Sequence, residues 1–184
     1  IKLISGVYRA DSGSDIFVDG RRIGAPVDAR RLHGEGLAFV HQDLGLVADL
    51  TVRENVRVGR HSIHKFSRWI NVAQDRAAVR ETFEFLGVDI DPEARVASLE
   101  PSERVAVAVA RALQDRQPGS GVIVFDESSR SIPHDALPAF YSMVRMLAAQ
   151  GTAVLIVSHN LREVLDIANC ATVLRNGQVI EMGV

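Results

Sequence analysis

Three short apolar runs, at 37–40, 122–125 and 153–157, each stop abruptly on polar side chains. His41, Gln42 and Asp43 follow the first, Asp126 and Glu127 the second, and Ser158 and His159 the third. Short unbroken apolar runs rich in branched residues suit strands buried inside a parallel sheet. Helical spacing over residues 136–150 and 161–168 places helices around the last run, which implies right-handed crossovers and a parallel sheet covered on both faces. Ligands of such sheets sit beyond the carboxyl ends of the strands, so the residues that end the runs are the candidate site. One acid at a strand end is commonly just the cap of the next helix; three polar strand ends together are a stronger signal.

The remaining segments have other rhythms. Residues 14–40 read as short strands, with a hairpin at Asp19-Gly20 and a short polar helix near residues 28–33. Residues 51–113 read as helical, with Val79, Phe83 and Leu86 on one stripe. Pro118-Gly119-Ser120-Gly121 is a breaker, and Asn176-Gly177 closes a last hairpin. The opening IKLISG reads as a helix end capped by Gly6, and with Ile1 in first place the chain reads as a fragment or processed product.

With 47% apolar residues among 184, the chain can bury one substantial core and a smaller lobe. A formal charge of −2 without a basic block gives no support for nucleic acid as a partner. Cys170 is the only cysteine, which excludes an internal disulfide and suits a reducing cytosol. No apolar run reaches the roughly 18 residues of a membrane span, and no secretory leader is visible.

FVHQD, VIVFDE and VSHN, in this order, resemble the glutamine loop, Walker B strand and histidine switch of the nucleotide-binding domain of ABC transporters. SGVYRADSG, HQDLGLVADLTVREN and GVDIDPEARVASL are similar to the subfamily that powers sugar importers. The resemblance implies an α/β fold of the P-loop NTPase type with an inserted helical lobe. Residues 1–42 would be the core after the P-loop, 43–117 the helical subdomain, and 118–184 the rest of the core. It implies ATP and Mg²⁺ as ligands, with Asp126 and Gln42 on the metal side. Glu127 would be the catalytic carboxylate, His159 would face the γ-phosphate, and Gln42 would sense metal and water. The chemistry suits those types: Asp126 is a hard oxygen ligand, Glu127 can orient or deprotonate water, and Gln42 both donates and accepts. The plainer readings are a helix-capping histidine at His159 and a loop amide at Gln42.

The chain departs from this family in three places. G-x-x-x-x-G-K-[ST], which cradles phosphates with backbone amides and a lysine, is absent, and the only lysines are Lys2 and Lys65. The L-S-G-G-Q signature, which would contact ATP held by a partner domain, aligns with Leu99, Glu100, Pro101, Ser102 and Glu103. Proline and acids there also make an ordinary helix start. After Glu127 stand Ser128, Ser129 and Ser131-Ile132-Pro133 in place of the family's proline-threonine and later aspartate.

The implied partners are a second nucleotide-binding domain, fused or separate, and transmembrane permease subunits, with the chain peripheral on the cytoplasmic face. A degenerate, non-hydrolysing module that closes a dimer is the alternative function. Residues 61–69, HSIHKFSRW, lie where the family meets its membrane subunit, but a solvated face with one packing tryptophan accounts for them. His61 and His64 lack a third metal ligand nearby in the sequence.

Overall fold

The computed structural model describes residues 2–8, 11, 15–23, 36–63, 69–114, 119–127 and 132–183. The segment around Gly6 forms the expected terminal turn: Gly6 takes φ 74°, Val7 N–H donates to Lys2 O at 2.9 Å and Gly6 N–H to Leu3 O at 3.2 Å. This is the bond pair that ends a helix on a left-handed glycine. Strands β1 (Ile16–Val18) and β2 (Arg21–Ile23) form an antiparallel hairpin. Asp19 and Gly20 take φ 49° and 73°, as a two-residue turn matched to strand twist requires. Asp19 Oδ2 accepts from Gly121 N–H at 2.9 Å, tying the hairpin to the foot of the central sheet. The short helix expected near residues 28–33 lies outside the described residues.

Strand β3 (Leu37–His41) enters that sheet and is followed by helices α1 (Val52–Arg57), α2 (Val72–Leu86) and α3 (Pro101–Leu113). Strand β4 (Val122–Asp126), helix α4 (Leu137–Ala149), strand β5 (Ala153–Val157) and helix α5 (Leu161–Ile167) complete the alternation. An antiparallel hairpin of β6 (Thr172–Arg175) and β7 (Gln178–Met182) turns at Asn176-Gly177. The central sheet is parallel in the order β3-β4-β5. The fold is therefore α/β with helices inserted between β3 and β4.

Strand alternation divides the core. Ala38, Val40, Ile123 and Phe125, with Val154 and Ile156, face one side and pack into a cluster shared with α1, α2, α3 and α4. Leu37 faces the other side and meets Val18 and Ile23 of the hairpin. Helix α3 is apolar nearly all round, Val105 to Ala110 being buried without a break, because it is sandwiched between sheet and helices. Its alanines leave room for neighbours, and each fully buried valine contributes about 1.5–3 kcal/mol. Among the described residues the expected cover on both faces is incomplete: on the hairpin side Ala153 and Leu155 of β5 are exposed. Among the described residues the hairpin's apolar contacts with the sheet are to Leu37, Phe39 and Val122.

The inserted helices are joined by charge. Asp75 of α2 is fully buried and accepts from Arg57 Nε of α1 at 3.3 Å and from Ser62 N–H at 2.8 Å; His61 Nδ1 lies 2.8 Å away. Arg57 Nη1 donates onward to Gln114 Oε1, just past α3, at 2.7 Å. His61 is thus committed to a carboxylate instead of a metal, while His64 lies outside the described residues. Trp69, a packing tryptophan in the sequence reading, is 76% exposed. Among the described residues no helix is long and apolar enough to cross a membrane.

Candidate active site

The register brings the three strand ends level. His41 pairs with Asp126, and Asp126 with Val157, so Gln42, Glu127 and Ser158 each stand one residue past the sheet edge. Asp126, the last residue of β4, is half-buried and falls by alternation on the face of Val122 and Val124. Glu127 donates its N–H to Val157 O at 3.0 Å while its own φ swings to 50°. The chain bends out of the sheet there with its amide still held. Glu127 Oε1 then lies 3.5 Å from His159 Nδ1, with the glutamate side chain 33% and the histidine side chain 65% exposed. A pair so open to water adds little to stability, about 0–1 kcal/mol, so its arrangement is not explained by folding energy.

The glutamine loop is fastened on its downstream side. Gln42 itself is exposed, but Arg111, near the end of α3, donates from Nη1 to Gly45 O at 2.7 Å and from Nη2 to Leu44 O. Burial pushes the Arg111 guanidinium below its ordinary value, aided by neighbouring Arg60 and opposed by Asp43. Asn55 of α1, itself buried, accepts from Val47 N–H at 2.7 Å and donates to Val47 O at 3.0 Å. Neither anchor was visible in the sequence. Asn55 lies in TVREN and Arg111 in ARAL, where the only signals are a polar residue facing inward on a helix and a basic one in a last turn.

The residues aligned with the signature are not part of the strand-end cluster. Leu99 is buried, Glu100 precedes α3, and Pro101 is its first residue. Glu103 turns back so that Oε2 accepts from Glu100 N–H at 2.8 Å, with Ser102 between them in the first turn. This loop forms a well-made helix start. Ser128, Ser129 and Ser131 lie outside the described residues.

Three parallel strands of an α/β domain thus end level, with Gln42, the pair Asp126 and Glu127, and His159 at or just past their ends. No family model matches the chain. It is 38% identical over 182 residues, 98% of its length, to a ribose import ATP-binding protein of Rubrobacter xylanophilus, and 33% identical over 180 residues to an arabinose import ATP-binding protein of Burkholderia cenocepacia. The chain spans about a third of the length of these curated relatives, 35% and 34%. Its fold matches a nucleotide-free ATP-binding cassette from an ABC transporter with TM-score 0.78 at 23% identity, covering 99% of this chain and 73% of that one. The chain belongs to the nucleotide-binding domains of ABC transporters and is similar to those of sugar importers.

Proposed function

We propose that the chain supplies the hydrolytic side of an ATP site in an ABC transporter that imports a carbohydrate. The observation that supports this most is the approach of Glu127 Oε1 to His159 Nδ1 beside Asp126, on neighbouring strand ends. The relatives named for ribose and arabinose import support the sugar class. In this reading residues 1–42 and 118–184 form the core and residues 43–117 the helical lobe. The domain sits on the cytoplasmic face against permease subunits and a second nucleotide-binding domain.

Among the described residues no three His, Cys, Asp or Glu gather to hold a metal outright. Asp126 and Gln42 offer hard oxygens only, which fits Mg²⁺, an ion that keeps several waters and takes substrate phosphates as ligands. When bound it would neutralise charge on the phosphate oxygens. Glu127 orients the attacking water and accepts its proton, His159 donates to the terminal phosphate, and Gln42 hydrogen-bonds at the metal side. Glu127→Gln, in a site completed with a phosphate-cradling loop, should lower ATP turnover about 10²- to 10⁴-fold while nucleotide binding persists. Turnover at the parental rate would remove Glu127 from this role.

By itself the chain should bind Mg-ATP weakly. The charge-assisted hydrogen bonds of G-x-x-x-x-G-K-[ST], each about 1.5–3 kcal/mol, are not among its residues. Calorimetry giving a micromolar dissociation constant would contradict this.

One observation favours the second, non-hydrolysing reading. Pro101 lacks an N–H, the Glu100 N–H is used by Glu103, and Glu100 carries charge where the family presents a serine hydroxyl. Beside a partner's γ-phosphate, at about 4 Å and an effective dielectric near 20, one such repulsion costs about 4 kcal/mol. Glu100→Ser with Pro101→Gly, paired with an intact partner domain, should raise turnover of the partner's nucleotide. Unchanged turnover would show that this loop is not what limits that site.

A further inference from the structure

Helix α5 is inverted for a surface helix: Leu161 and Leu165 are 76% and 82% exposed, while Glu163 between them is 2% exposed. Burying a carboxylate is costly unless hydrogen bonds compensate it, and rotating the helix would hide the leucines instead. The compensation is a single contact. Glu163 Oε2 accepts from the Ser158 hydroxyl, and Oε1 is buried with no hydrogen-bond partner among the described residues. Packing alone does not account for an acid in this position.

Its one contact leads to the histidine loop. Ser158 Oγ, while donating to Glu163, accepts from Asn160 N–H at 3.0 Å, so the serine spans His159. Asn160 is tied to α5 in turn, its Oδ1 accepting from Arg162 N–H at 3.1 Å and its carbonyl from Val164 N–H at 3.2 Å. Arg145 Nη2 of α4 donates to Asp166 O at 2.7 Å and fixes the helix to its neighbour. The residues on either side of His159 are therefore held, whereas its imidazole is too exposed to be oriented by burial.

We propose that Glu163 is the positioning residue for His159. It fixes the Ser158 hydroxyl, the hydroxyl fixes the Asn160 amide, and the loop is kept in the turn that brings His159 Nδ1 to Glu127. The purpose rests on the hydrolytic reading above; the geometry does not. It can be tested on the chain as it stands, without nucleotide, so that failure here and failure of the ATPase assignment are separate results.

The His159 ring resonances are followed by NMR, with and without Glu127→Gln. With native Glu163 the ring responds to Glu127→Gln, because the two groups are in contact. In Glu163→Ala that response is expected to be lost, and the Asn160 amide to exchange about tenfold faster, as for one lost hydrogen bond. Glu163→Gln is expected to restore both, since its amide oxygen can accept from Ser158. A merely structural acid would give no such His159-specific loss and rescue. Should Glu163→Ala not fold, Ser158→Ala breaks the same bracket from its other end and must show the same two effects. A full His159 response in either folded alanine variant overturns the proposal.

Discussion

Glu127 holds φ 50°, a left-handed conformation that costs a residue with a Cβ about 1–2 kcal/mol. Asp19 and Asn176 share it, but both are hairpin residues whose short polar side chains tolerate it. A glutamate has no such excuse. Its amide is spent on Val157, so the bend keeps the last rung of the sheet while freeing the carboxylate toward His159. Strain of this kind collects where function sets the geometry. Glu127→Gly should therefore relieve it and raise Tm by about 2–4 °C per kcal/mol recovered in a chain of this size. The same substitution should abolish hydrolysis in a completed site. Calorimetric scans settle the first half: a fall in Tm would mean that contacts of the carboxylate outweigh the backbone strain.

The elements show which signals survive in a sequence. The stripe of Val79, Phe83 and Leu86 and the Asp19-Gly20 and Asn176-Gly177 turns depend on local chemistry, and they appear where the sequence puts them. The level strand ends were readable too, because apolar runs stop where strands do. Contacts between distant residues were not readable. Arg111 reaches carbonyls of Leu44 and Gly45, and Glu163 points inward from a helix whose leucines suggest the opposite face. Nothing within a few residues of either position specifies its partner. Arg111 carries a consequence for α3: its guanidinium fork meets two neighbouring carbonyls, which a lysine can match in charge but not in shape. Arg111→Lys and Arg111→Ala should both speed amide exchange over residues 42–47. Alanine should also cost about 1.5–3 kcal/mol in denaturant unfolding, as for a hydrogen bond to a charged group. Native protection in the lysine variant would show that charge alone holds the loop.

At the scale of the whole molecule, one apolar cluster runs from the inserted helices through α3 into the sheet, so loosening the joints between helices should loosen the rest. Those joints rest on carboxylates. For Asp75, burial pushes the carboxyl up, but the Ser62 amide, His61, the Ser62 hydroxyl and Arg57 together hold it below its ordinary 3.8. Glu54 is held below 4.5 chiefly by the Thr51 amide and hydroxyl that it caps, and Glu93 by Arg53 and Arg76 against burial. Each of these groups binds its proton more readily in the unfolded chain. Their contributions are therefore complete above the ordinary carboxylate values of 3.8 to 4.5 and are lost as pH falls through the lower, folded ones. The urea midpoint should be insensitive to these groups above about pH 5 and should fall steeply below it. Asp75→Asn should remove one component of that acid slope. It should also lower stability at neutral pH by about 3–5 kcal/mol, because it leaves the buried Arg57 guanidinium without its countercharge. If the variant instead keeps the parental acid slope while losing neutral stability, Asp75 acts through its hydrogen bonds and not its ionisation, and the pH dependence belongs to Glu54 and Glu93.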